Sequence, residues 1–137
     1  MSITVTVLQW LIRLLAVVQL TLGVLFWTGN AFAFIPVHML SGLVLVVAIW
    51  VQAGLALRSR VPIGLPGLAF AWGVLVIGLG VAQDGVLTGD LHWLIKVVHL
   101  LVGVAAVGQA EGIARRTLSR LAERGMNVKA AWSTSEP

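Results

Sequence analysis

Histidine is rare in this 137-residue sequence, which holds three of them and no cysteine. Two sit in matching contexts: Val37-His38-Met39-Leu40-Ser41-Gly42-Leu43 and Val98-His99-Leu100-Leu101-Val102-Gly103-Val104 agree at Val, His, Leu and Gly. Both segments lie inside long apolar runs, where an imidazole is costly unless it faces a bundle interior and serves a site. Placed on two parallel helices, His38 and His99 would point inward as a clamp for a planar metal complex. Gly42 and Gly103, one turn further along the same faces, would leave room for a flat ring. Neutral imidazole binds iron well. Two such axial ligands on a haem b close both open positions and favour one-electron transfer over oxygen binding. A proton relay, a hydrogen bond to a quinone, or plain hydrogen bonding between helices are the other uses of such residues.

The third histidine extends one of these faces. His92, Lys96, His99 and Gly103 recur at helical spacing, so the helix that carries them lines something polar. Counting from the expected helix starts, His99 lies deeper than His38 by roughly 9 Å at 1.5 Å per residue. Either the segment from Ala31 to Ile35 folds over the outer end and lets the second helix enter deeper, or His92 replaces His99 as the partner of His38. Lys96 would pair with a haem propionate or a quinone oxygen, or else snorkel to the membrane surface. Arg13 and Glu111 are the other charges set in apolar surroundings. With Gln9 one turn from Arg13, they suggest an ion pair between the first and fourth helices, or a proton path.

The elements that must position these residues follow from composition. Hydrophobic residues make up 59% and charged residues 10%, with a mean hydropathy of +1.01, more apolar surface than a soluble domain of this size can hide. Four runs have the roughly 20-residue length of a membrane span: Val5 to Trp27, Ile35 to Leu57, Ile63 to Ala82, and Leu91 to Ile113. Between them lie Thr28-Gly29-Asn30, Arg58-Ser59-Arg60-Val61-Pro62, and the stretch from Gln83 to Asp90, all with turn chemistry. Pro36 and Pro62 suit helix starts, and Asp90 suits the N-cap of the fourth helix. The predicted fold is an all-α integral membrane four-helix up-down bundle, in which the His repeat suggests a duplicated helix hairpin.

A net charge of +4 and a pI near 11.3 do not indicate nucleic acid, because seven of the nine basic residues are Arg58, Arg60, Arg115, Arg116, Arg120, Arg124 and Lys129, flanking the spans. By the positive-inside rule both termini face the cytoplasm, as for a multi-pass protein of the cell (inner) membrane. The opening MSITVTVLQW has no basic n-region and reads as no cleaved signal peptide. Residues 1–113 are the transmembrane domain. Residues 114–137 form a basic amphipathic extension that Gly125 would end, followed by a loose tail in which Trp132 rests at the headgroups. Trp27 and Trp93 read as outer-belt anchors. The third span carries no charge but five glycines, Gly64, Gly67, Gly73, Gly78 and Gly80, which, like Gly108 and Gly112, point to close helix packing.

No cysteine means no disulfide, no thiolate metal site, no iron–sulfur cluster and no covalent haem. There is no nucleophile–base pair, and Gly78-x-Gly80 lacks the third glycine and the βαβ setting of a phosphate loop. Four short-looped helices with intramembrane His on two of them, over about Val5 to Ile113, resemble the small four-helix membrane b-type cytochromes. These include the cytochrome b561-like proteins and the haem-bearing anchor subunits of succinate dehydrogenase. The resemblance implies a haem b held by His38 and His99 that passes electrons between a quinone and a partner redox protein. Three histidines cannot supply the four ligands of the two-haem b561 pattern, so at most one bis-His haem fits. The competing class is a non-catalytic membrane subunit: a structural or assembly component, or a transporter protomer, with a homo-oligomer as one arrangement.

Overall fold

The computed structural model describes residues 1–133, and they form four helices: α1 (Ser2–Trp27), α2 (Ile35–Arg58), α3 (Gly64–Ala82) and α4 (His92–Ser133). Each is long and apolar enough to cross a membrane. Of the most apolar stretch of each helix, between 11% and 22% of positions are buried against protein, so the side chains that face outward are themselves apolar. Ile3, Val74 and Val81 are among the most exposed residues. This is a surface suited to lipid rather than water.

The helix ends show why the chain turns where it does. At the end of α1 the Asn30 amide donates to the Leu25 carbonyl at 2.9 Å and the Gly29 amide to Phe26 at 3.1 Å, with Gly29 at φ +79°. This pairing satisfies the last carbonyls and requires a left-handed residue, for which glycine is suited. The end of α2 repeats it, Val61 to Ala56 and Arg60 to Leu57, both at 3.0 Å, except that Arg60 takes the left-handed place at φ +62°. A short 3-10 turn, Phe32–Phe34, leads into α2, and Pro36 sits in that helix's first turn, where its missing N–H costs nothing. Before α4 a 3-10 turn spans Gly89–Leu91, so Asp90 lies inside that turn and does not cap α4 by a side-chain hydrogen bond.

The structure corrects the expected end of α4. The helix passes through Gly125 without a break and reaches Ser133, 42 residues in all. Gly125 is absent from the positive-φ positions, and glycine stops a helix only in that conformation. Around it Leu121, Ala122, Glu123, Arg124 and Met126 are good helix formers. At 1.5 Å per residue α4 is about 63 Å long, twice the ~30 Å hydrocarbon thickness, so it runs well past the apolar span: Ile113, Ala114 and Thr117 are still buried, and the turns after Leu121 are largely exposed. Trp132 is exposed on this extension. The expected tail beyond Ser133 lies outside the described residues.

Helix α1 packs on α2 and α4, α3 packs on the same two, and α2 and α4 touch across the middle. The two His-bearing helices are therefore the central pair. Their contact is lined by small residues, with Ala53, Ala56, Ala106 and Ala110 buried alongside Ile49 and Ile113. In lipid, where burial of apolar surface gives little drive to associate, such close approach and hydrogen bonds hold helices together. The main polar tie is Gln52, fully buried on α2, whose Nε2 donates to Gln9 Oε1 of α1 at 2.9 Å and to the Ala110 carbonyl of α4 at 2.8 Å. Gln52→Leu keeps the volume and removes both bonds. We expect it to lower unfolding stability in detergent by about 1 kcal/mol; an unchanged unfolding midpoint would contradict this role.

Candidate functional site

Two polar clusters lie at opposite halves of the bundle. The first joins α1, α2 and α4. Arg13 Nε donates to Glu111 Oε1 at 2.7 Å and Arg13 Nη2 to Oε2 at 3.0 Å, a two-pronged pair, and Gln9 Nε2 donates to Glu111 Oε1 at 2.6 Å. Gln52 continues the chain of bonds through Gln9. Arg13 also lies over the Trp10 ring, 4.8 Å from its centre. The expected ion pair between the first and fourth helices is thus present. With the carboxylate oxygens taken by Arg13 and Gln9, its geometry is that of a structural tie.

The second cluster surrounds the histidines. His38 sits in the first turn of α2 and His99 in the third turn of α4, on the two helices that touch across the middle of the bundle. Both rings are partly buried, and in each the Nδ1 is buried with no hydrogen-bond partner. The His38 ring meets Phe26 of α1 edge-on, with centres 5.3 Å apart. Gln19 of α1 braces the turn below it: its Nε2 donates to the His38 carbonyl and to Ser41 Oγ, both at 2.7 Å, while Ser41 Oγ donates to the Val37 carbonyl.

The glycines around the pair differ in what they do. A side chain at Gly42 would stand 3.3 Å from Gln19 Nε2, so the space there is filled by the brace from α1. Gly103 has open space beside it, with nothing within 4 Å of where a Cβ would stand. Gly80 of α3, which would bring a Cβ to 3.5 Å from His99 Cε1, is the third helix's contribution to the site. His92 at the start of α4 is partly exposed and Lys96 fully so, while Ile95 is the buried residue at that level. Lys96 therefore lies at the outer rim of the face that His99 continues inward.

Gln19, Ser41, Phe26 and Gly80 carry no signal of their own in the sequence. Amides, hydroxyls and glycines are common in apolar helices, and their part emerges only once α1 and α3 are seen to flank the central pair. The tryptophans divide likewise. Trp27 and Trp93 are exposed near the helix ends, whereas Trp50 and Trp72 pack between helices, Trp72 Nε1 donating to the Val102 carbonyl at 2.9 Å.

In donor chemistry the pair fits a haem. Each ring keeps a buried nitrogen that no protein group satisfies, an expensive condition in a low-dielectric interior and one that suits a ring with a non-protein partner. Among the described residues no three His, Cys, Asp or Glu side chains converge. Two imidazoles without a third protein ligand suit a metal whose remaining positions are filled by a macrocycle. Compared with protein-family models, curated proteins and solved structures, the chain matches none.

Proposed function

We propose that this chain is a membrane b-type haem protein that transfers single electrons, with His38 and His99 as the residues that would hold the haem. The observation that carries the proposal is the pair of partly buried imidazoles on the two central helices, each with an unpartnered Nδ1. A bound haem would supply a one-electron iron couple whose potential depends on the two imidazoles and on its exclusion from water. The rest falls to the chain's own residues. Helices α2 and α4 hold the rings, Gln19 and Ser41 fix the turn that carries His38, and the space beside Gly103 admits a flat group.

The orientation we propose puts both termini in the cytoplasm and the histidines toward the outer side of the cell membrane. Arg58, Arg60, Arg115 and Arg116 gather at one end, and Asp84 and Asp90 at the other, with no Lys or Arg in the loops there. Electrons then enter near the outer surface, since α3 is charge-free and offers no polar route across. His92 and Lys96 border that entrance and suit a quinol: an imidazole nitrogen can accept the quinol proton, and the ammonium steadies the anion left behind. A partner redox protein docking at the same end is the other donor.

The purified, reduced protein is expected to show the sharp bands of a low-spin b-type haem, and a quinol to reduce it rapidly. His92→Ala and Lys96→Ala should keep that spectrum while slowing reduction by about tenfold or more. Equal rates in all three proteins would remove the quinol and leave a protein donor.

A further inference from the structure

At the end of the bundle away from the histidines, the α2–α3 loop and α4 line an open, shallow cavity of about 460 Å³. One wall is Val61 and Pro62; the other is the polar side of α4, with Arg115, Arg116, Ser119, Arg120 and Glu123. Three guanidinium groups face one carboxylate, and that carboxylate is taken: Glu123 pairs with Arg120 at 3.5 Å. Arg115 spends its Nε on the Glu111 carbonyl at 3.4 Å, which leaves its two terminal nitrogens free. Arg116 makes no hydrogen bond or ion pair among the described residues. Arg116 thus lines a concave site with no anion bound to it, beside Arg115, whose helix neighbour Glu111 has its carboxylate oxygens taken by Arg13 and Gln9.

Depth decides which anion belongs there. The apolar run of α2 ends at Leu57 and that of α4 at Ile113, so the cavity begins about one turn outside the apolar span, at the level where a bilayer carries its phosphates. A phosphodiester offers two acceptor oxygens to the guanidinium fork, and the Ser119 hydroxyl adds a donor. Pro62, exposed beside the buried Val61, gives an apolar edge against which the glycerol carbons would lie. We propose that this cavity is a phosphate-binding site that takes the headgroup of an anionic phospholipid and ties the extension of α4 to the membrane surface. The site rests on the membrane-spanning reading alone and is independent of any cofactor.

The test is thermal unfolding of the full-length protein in detergent, titrated with phosphatidylglycerol, phosphatidylcholine or inorganic phosphate. Phosphatidylglycerol should raise the midpoint saturably and at lower concentration than phosphatidylcholine. Arg115→Gln with Arg116→Gln should weaken that response by about thirtyfold, the effect of two cations near an anionic surface. Arg116→Gln alone, which breaks no bond within the protein, should show part of the loss. Arg124→Gln, on the same helix but outside the cavity lining, should leave the response unchanged. Equal responses to the two lipids, or equal weakening by Arg124→Gln and the double change, would reduce the site to diffuse surface charge and overturn the proposal. Inorganic phosphate reproducing the full shift would make it a soluble-anion site and overturn the lipid assignment.

Discussion

Alanine at either His38 or His99 is expected to abolish the low-spin spectrum of the purified protein, leaving it empty of haem or with a five-coordinate, high-spin iron. Each substitution removes one of two ligands that sit on different helices, so neither ring can be replaced by its neighbour in sequence. His92→Ala is the internal control. His92 begins α4, two turns before His99, and its Nδ1 is not among the buried, unpartnered nitrogens that mark His38 and His99. The His92 variant should therefore keep the low-spin bands. Loss of those bands in His92→Ala alone, with His99→Ala unaffected, would replace His99 by His92 in the account. To separate ligand loss from unfolding, the variants should be compared by far-ultraviolet circular dichroism. The core helices should persist, because neither His38 nor His99 donates a side-chain hydrogen bond to another helix.

The second large effect is expected at Gly73, where α3 crosses α2. A Cβ at this position would stand 2.9 Å from Val46 Cγ1 and from Trp50 Cε2, and closer still to Trp50 Nε1. The indole lies there tilted against Phe70 with ring centres 6.1 Å apart, so making room means shifting a bulky, two-torsion side chain rather than a flexible chain end. Alanine is a better helix former than glycine by about 1 kcal/mol, so the change should stabilise an unhindered helix. At Gly73 the clash wins: Gly73→Ala should cost about 1–3 kcal/mol through overpacking. Gly78, on the same helix with nothing within 4 Å of its Cβ position, is the matched control and should tolerate alanine without loss. Trimming the indole in the double variant Gly73→Ala, Trp50→Leu should recover part of the loss. If Gly73→Ala unfolded at the wild-type midpoint, the close crossing of α2 and α3 would be wrong.

The spans are legible in the sequence because hydropathy over about 20 residues is a strong signal in a chain this apolar. Ile63 to Ala82 is found as Gly64–Ala82, and Ile35 to Leu57 as Ile35–Arg58. The Arg13–Glu111 tie is legible for a related reason, since two opposite charges in apolar runs must find each other. Gln52 is not, because a neutral amide disturbs the hydropathy pattern too little to mark it as the residue that joins three helices. The end of α4 is not legible either, because Gly125 carries a stop signal only when its backbone turns left-handed, and the helix-forming residues on both sides of it keep it from doing so. Residue counting sets His38 and His99 about 9 Å apart in depth by assuming that both helices start level. The 3-10 turn Phe32–Phe34 ahead of α2 removes that assumption, because α2 and α4 are each entered through a short 3-10 turn that residue counting does not foresee.

The central claim is that the two imidazoles hold one haem, and the most direct measurement is the haem content of the wild-type protein. The chain should be purified in mild detergent from haem-replete cells and assayed by pyridine haemochrome against protein concentration. The account predicts about one haem b per chain, since the three histidines supply a single bis-His pair. A colourless protein with intact helices and no haemochrome would contradict it and leave His38 and His99 as polar packing in a non-catalytic membrane subunit.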